Sequence, residues 1–135
     1  MRLYVERMTL KLTKQYRRKM TRKVLRELKM YREASEYHAA LTRIPDLSGR
    51  KKKAAQKMLA VSEFVIEGVE RAMNYLTDIE REIIRLHYTE EQTFESIGDT
   101  VHLERSSVYR HEIRAVDKIA TILYGAAESS GNWIP

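Results

Sequence analysis

Between residues 55 and 76, apolar and small side chains recur at intervals of three and four: Ala55, Met58, Ser62, Val65, Val69, Ala72 and Leu76. An α-helix, at about 3.6 residues per turn, brings positions so spaced onto one face. The period therefore commits residues 50–74 to a long helix with a wide buried seam, broadened by Leu59, Ile66 and Met73. That seam needs a partner. It closes against another helix of the same chain or, as a homodimer through helix 50–76, against the same helix of a second subunit. Packing within the chain is the commoner outcome.

The obvious intramolecular partner precedes it. Residues 14–41 contain no Pro or Gly and are rich in Lys, Arg, Glu, Leu and Met, all good helix formers. Met20, Val24, Leu28, Tyr31, Ser35 and His38 form a moderately apolar stripe, and Arg18, Arg22, Arg26, Lys29 and Arg32 lie opposite. The break at residues 44–49 (IPDLSG) joins the two helices: Pro45 disfavours helical geometry at Ile44, while Asp46, Ser48 and Gly49 form turns and caps. Residues 1–13 are ambiguous, because Leu3, Val5, Met8, Leu10 and Leu12 alternate like a strand yet lead into a helix. The expected organisation is a basic helical hairpin over residues 1–75, a second unit over 76–125, and a flexible tail over 126–135 that carries Trp133. The fold class is all-α.

Charge is divided steeply along the chain. The net +6 hides 12 Lys/Arg against two acidic residues in 1–32, and seven against 14 in 59–135. A basic arm beside an acidic body predicts polyanion binding, pairing between arm and body, or both on different faces of one helix. On the first reading Arg18, Arg22 and Arg26 meet phosphates. Lys51, Lys52 and Lys53, unfavourably placed for the macrodipole at a helix start, form a second candidate phosphate cluster or a solvated first turn. With no cysteine there is no disulfide or thiolate metal site. No apolar run reaches membrane-spanning length and the first residues lack a signal-peptide core, so a soluble, cytoplasmic protein is expected.

The second unit opens on a capping box, Thr77-Asp78-Ile79-Glu80, and buries Ile79, Ile83, Ile84, Leu86 and Tyr88. After a short polar connection, residues 93–118 (TFESIGDTVHLERSSVYRHEIRAVDK) read as helix, turn and helix. Thr93 caps the first helix. Ile97, Val101, Leu103, Val108 and Ile113 are expected to point inward, and Gly98 to sit where the helices cross closest. His102 opens the turn, where positive φ is usual and His is among the few tolerated side chains. The second helix, 104–119 and onward to about Gly125, then presents Arg105, Ser106, Tyr109 and Arg110 on its outer N-terminal face. That is the face a recognition helix turns to base edges. Arg offers a bidentate fork to guanine, Ser meets several base edges, and Tyr packs on a thymine methyl or reaches a phosphate. Thr93, Ser107 and Arg114 are the phosphate candidates within the motif.

Catalysis finds no comparable support. His38, His87, His102 and His111 have no metal-ligand spacing, and His111-Glu112 is followed by Ala115 where a zinc-protease motif needs its second ligand. The scattered glycines form no phosphate loop. No enzyme activity, metal or cofactor is expected.

The segment Leu76-Thr77-Asp78-Ile79-Glu80-Arg81-Glu82-Ile83-Ile84, with Tyr88, residues 93–98 and residues 108–118, resembles region 4 of bacterial sigma factors. The likeness covers residues 76–119 without a gap inside the motif. With its basic helical N-terminal half, the whole chain is similar to phage late-gene regulators of the ArpU/RinA type. The resemblance implies a small DNA-binding transcriptional activator of phages or prophages, working beside the host RNA polymerase on double-stranded DNA. It places the promoter-contacting positions at Arg105, Ser106, Tyr109 and Arg110. Ser106 stands where sigma factors commonly carry an acid, so their base preference does not transfer. No promoter-melting region 2 is present. A small terminase-like packaging subunit and a polymerase- or sigma-binding adaptor are the alternative expectations.

Overall fold

The computed structural model describes the backbone over residues 2–125 and side chains over residues 14–125. The expectations for residues 126–135, Trp133 included, lie outside the described residues. Every regular element described is helical: α1 (Arg2–Arg26), α2 (Leu28–Thr42), α3 (Gly49–Met73), α4 (Asp78–Ile84) with a π-helical turn (Arg85–Thr89), α5 (Phe94–Val101) and α6 (Arg105–Tyr124). The all-α class holds, and the alternating residues near the start are part of α1.

The first long helix is divided where a single one was expected. Glu27, at φ −99° and ψ 8°, separates α1 from α2. No proline or glycine marks the place. The break follows from burial on both sides of it: Val24 and Leu25 are buried in the core beside α6, while Leu28 packs on the same cluster from α2. α2 and α3 then form the hairpin. Ser48 caps α3 by accepting a hydrogen bond from the Lys51 backbone N–H at 3.3 Å.

Two apolar clusters organise the rest. The larger joins Val24 and Leu25 of α1, Val69 and Ala72 of α3, Leu76, Ile84 of α4, and Ala115, Val116 and Ile119 of α6. It draws on both sides of residue 75, so the expected boundary between two units runs through a shared core. The smaller joins Ile83, Leu86, Ile97 and Val108. α4 supplies both because Ile83 and Ile84 lie about 100° apart on the helix. On α3 the seam is buried at Ala55, Ser62, Val69 and Ala72, but Met58 is 49% exposed, contrary to the periodic pattern. Thr21 is fully buried and its hydroxyl has no partner among the described residues. Thr21→Val keeps the shape and removes an unsatisfied group, and is expected to raise stability by about 1 kcal/mol in urea unfolding.

The start of α4 is locked from two directions. Thr77 and Glu80 close the capping box, and the buried Glu80 carboxylate also accepts from Lys118 Nζ at 2.7 Å. Burial pushes the Glu80 carboxyl upward, but the hydrogen bonds from Lys118 and Thr77 outweigh it and hold the group below its ordinary value. This pair fixes the middle of α6 against α4.

Candidate nucleic-acid interface

The turn between α5 and α6 is set by three local features. Thr93 Oγ1 accepts from the Ser96 backbone N–H at 3.1 Å, capping α5. His102 ends that helix in the left-handed region at φ 60° and ψ 44°, and the Leu103 N–H returns to the Gly98 carbonyl at 3.0 Å. The need for Gly98 comes from this returning chain. A Cβ there would stand 2.6 Å from the Leu103 carbonyl oxygen, with the Val108 side chain at 3.7 Å. Gly98→Ala would gain up to about 1 kcal/mol of helix propensity but overpack against backbone at a cost of roughly 1–3 kcal/mol. A net loss of about 1–2 kcal/mol, seen as a lower urea midpoint, is expected.

Ile97 and Val108 are fully buried where the two helices meet, with Val101 and Leu103 packed against them. Ile113 departs from its expected inward role and is only half-buried. Glu112 takes the inward position instead. On the outer side of the first turns of α6, Arg105, Ser106, Tyr109 and Arg110 are all exposed. Tyr109, 46% exposed, leans edge-on against Phe94 with centroids 5.6 Å apart, and Phe94 stacks on His87 at 4.5 Å. The ring is therefore braced from behind while its edge stays open. Arg110 donates to Ser107 Oγ at 3.0 Å, which occupies one nitrogen of its fork and engages the Ser107 hydroxyl. Arg105, Arg110 and Arg114 enter no ion pair among the described residues, and Arg114 is exposed one turn beyond the readers.

Residues 72–121 match the family model of sigma-70, region 4. No curated protein and no solved structure matches the chain. The match begins at the end of α3 and runs through most of α6, so this segment is a sigma region 4-like helix-turn-helix, a DNA-binding fold. α1, α2 and most of α3 lie outside it. Among the described residues, no helix is long and apolar enough to cross a membrane, and no group of three or more His, Asp or Glu is placed to hold a metal ion.

The region 4-like segment is gripped by α1. Arg18 places Nε and Nη2 on the Asp117 carboxylate at 2.7 and 2.8 Å. Arg22 grips Glu112 in the same two-pronged way, at 3.2 and 2.8 Å. Glu112 is only 1% exposed and also accepts from the Tyr88 hydroxyl at 2.5 Å. These hydrogen bonds raise both guanidinium groups above their ordinary range, against the opposing effect of burial. Burial, followed by the bond to Glu112, raises the Tyr88 phenol likewise.

Two of the three arginines expected at phosphates are therefore committed to α6, and only Arg26 is exposed, beside His87, Tyr88 and Glu91. The pairing was legible in part: Val108, Glu112, Ala115, Val116 and Ile119 share one face, which puts a carboxylate into the buried stripe in need of a cation. Lys51, Lys52 and Lys53 are exposed in the first turn of α3. They lie roughly 25 Å along that helix from Gly68, against which Leu123 of α6 packs. Nothing in the described residues brings them near Arg105 or Arg110.

Proposed function

We propose that this chain is a sequence-specific DNA-binding transcription regulator that reads its site in the major groove with the start of α6. The observation that carries the proposal is the exposed cluster of Arg105, Ser106, Tyr109 and Arg110 on a region 4-like helix-turn-helix, two of its members being arginines that enter no ion pair among the described residues. Arg105 and Arg110 read guanine edges, Ser106 and Tyr109 complete the readout, and Arg114 with the Thr93-capped start of α5 meets flanking phosphates. The regulator activates late genes of a phage or prophage within a bacterial host, in the manner of the ArpU/RinA-type proteins it resembles. Contact with the host RNA polymerase accompanies DNA binding, as the region 4 likeness suggests.

One such motif covers few base pairs, so a second copy is part of the reading. Met58, Val61 and Phe64 of α3 are 49%, 50% and 68% exposed, an apolar surface suited to a homodimer through that helix. Footprinting in host cells together with transcript measurement tests the reading. Protected sites upstream of genes whose transcripts fall when the chain is removed would support an activator, and rising transcripts would make it a repressor. A large ring by mass measurement would favour a DNA-packaging subunit. Retention of polymerase without a shift of any duplex at low salt would favour an adaptor.

A further inference from the structure

We infer that α1 carries a second DNA contact, a strip of Lys19, Lys23 and Arg26 that meets the phosphates of one strand in fixed register with the reading helix. The inference rests on the DNA-binding reading and concerns which cations serve it and how they are held. It begins with the disposal of α1's side chains. Thr21, Val24 and Leu25 are buried, and Arg18 and Arg22 turn sideways onto α6. At about 100° per residue, Lys19, Lys23 and Arg26 fall on the side remote from the core, next to the edge that grips α6. All three are exposed, and none enters an ion pair among the described residues. Residues 14–26 contain no Asp or Glu, and Glu91, which lies beside Arg26, makes no ion pair with it among the described residues.

The orientation of the strip follows from the two ion pairs. Arg18 meets Asp117 and Arg22 meets Glu112, so α1 runs antiparallel to α6. One further turn carries Arg26 to the level of Val108 and Tyr109, the reading end of the helix. α1 and α6 both bury their inner faces in the cluster containing Val69 and Ala72 of α3. α1 packs chiefly along α6, so the two helices lie side by side with Arg26 at the reading end. There Arg26 lies beside His87, which stacks on Phe94, and Phe94 meets Tyr109 of the reading helix. A duplex entered by the start of α6 passes alongside the strip.

The spacing suits a phosphate backbone. Lys19 to Arg26 spans about 10 Å of helix, and one strand of B-DNA presents a phosphate about every 3.4 Å of axis, so the strip covers roughly three. The paired arginines act as positioning residues. They hold the strip to the reader and leave the phosphate contact to their neighbours.

The test compares the unaltered chain with Lys19→Gln/Lys23→Gln/Arg26→Gln, substitutions that leave helix propensity nearly unchanged. Binding to a 30-base-pair duplex of arbitrary sequence is followed by fluorescence anisotropy between 50 and 200 mM KCl. Thermal melting confirms that each variant is folded. The triple variant is expected to bind at least about tenfold more weakly at the upper salt concentration, with a slope of log K against log salt shallower by about two to three. Base preference on a selected site should be unchanged. A folded triple variant with the parental slope would overturn the strip. Lys51→Gln/Lys52→Gln/Lys53→Gln is expected to keep that slope, and a loss there equal to that of the strip variant would overturn its special placement.

Fixed register has its own readout. Neutral methylphosphonates placed singly along the selected site should weaken the parent at about three successive positions on one strand and leave the triple variant indifferent at those positions. Sensitivity scattered over both strands would overturn it. Failure of the unaltered chain to bind any duplex would instead remove the DNA-binding reading itself, a result distinct from each of these.

Discussion

Arg22→Met is expected to destabilise the fold by about 3–5 kcal/mol, the cost of leaving a buried carboxylate without its cation. Glu112 sits inside the stripe that α6 buries, and its bonds come from Arg22 and Tyr88. Removing Arg22 leaves one phenolic donor to compensate a full charge in a site that is nearly closed to water. Asp117, by contrast, is partly exposed in its pair with Arg18, and water can take over there. Arg18→Met should therefore cost far less, within about 1 kcal/mol. The double change Arg22→Met/Glu112→Leu removes the charge along with its partner and should recover most of the loss. Urea unfolding of the parent, Arg22→Met, Glu112→Leu and the double variant closes a double-mutant cycle. A single Arg22→Met variant within 1 kcal/mol of the parent would show that the clamp does not hold α1 to α6.

The clamp also explains which parts of the molecule could be read from residue types. Helices with strong period and clear punctuation were legible: the Thr77–Glu80 capping box, the Thr93 cap and the left-handed His102 are local features determined by a few adjacent residues. The division at Glu27 was not, because it contains no breaker. It falls where the chain passes from α1, packed along α6, to α2, packed along α3, while residues on both sides still reach the shared cluster, and that is a property of the assembled core. Met58 continues the periodic seam of α3, yet it is left open between the buried Ala55 and Ser62, which the spacing alone does not show. The spacing puts Gly98 at the closest crossing of the two helices, but the atom a Cβ would meet is a backbone oxygen of the following turn, invisible to any pattern of side chains.

The basic arm was the hardest element to read, for an electrostatic reason. Composition showed an excess of cations and offered two uses for it, phosphate or the acidic body. The choice is made residue by residue according to helical angle. Arg18 and Arg22 face carboxylates on α6, whereas Lys19, Lys23 and Arg26, one or more positions away, face solvent. A single helix thus contributes to both stability and charge, and arginine's planar fork suits the buried, two-pronged role. Arg18 and Arg22, expected at phosphates, are paired with Asp117 and Glu112, and the proposed phosphate contact falls to their lysine neighbours and to Arg26.

Arg105→Ala and Arg110→Ala are each expected to cost about 1–3 kcal/mol on the specific site while leaving the fold intact. Neither side chain is buried or enters an ion pair among the described residues, so truncation removes reach into the groove and little else. The two should differ in kind. Arg105 is unencumbered at the first turn of α6, whereas Arg110 must give up or share its bond to Ser107 to present a full fork. Ser107→Ala frees that fork and is expected to leave affinity nearly unchanged, because the exposed bond it removes is replaced by water. Tyr109→Phe separates packing from hydrogen bonding: the brace against Phe94 survives and only the hydroxyl is lost. The measurement is a binding-site selection repeated for each variant, with affinities taken on the parental site and on its single-base changes. Flattened preference at a defined base pair for each arginine would assign the readers. Unchanged preference after both substitutions would show that sequence is chosen elsewhere on the molecule.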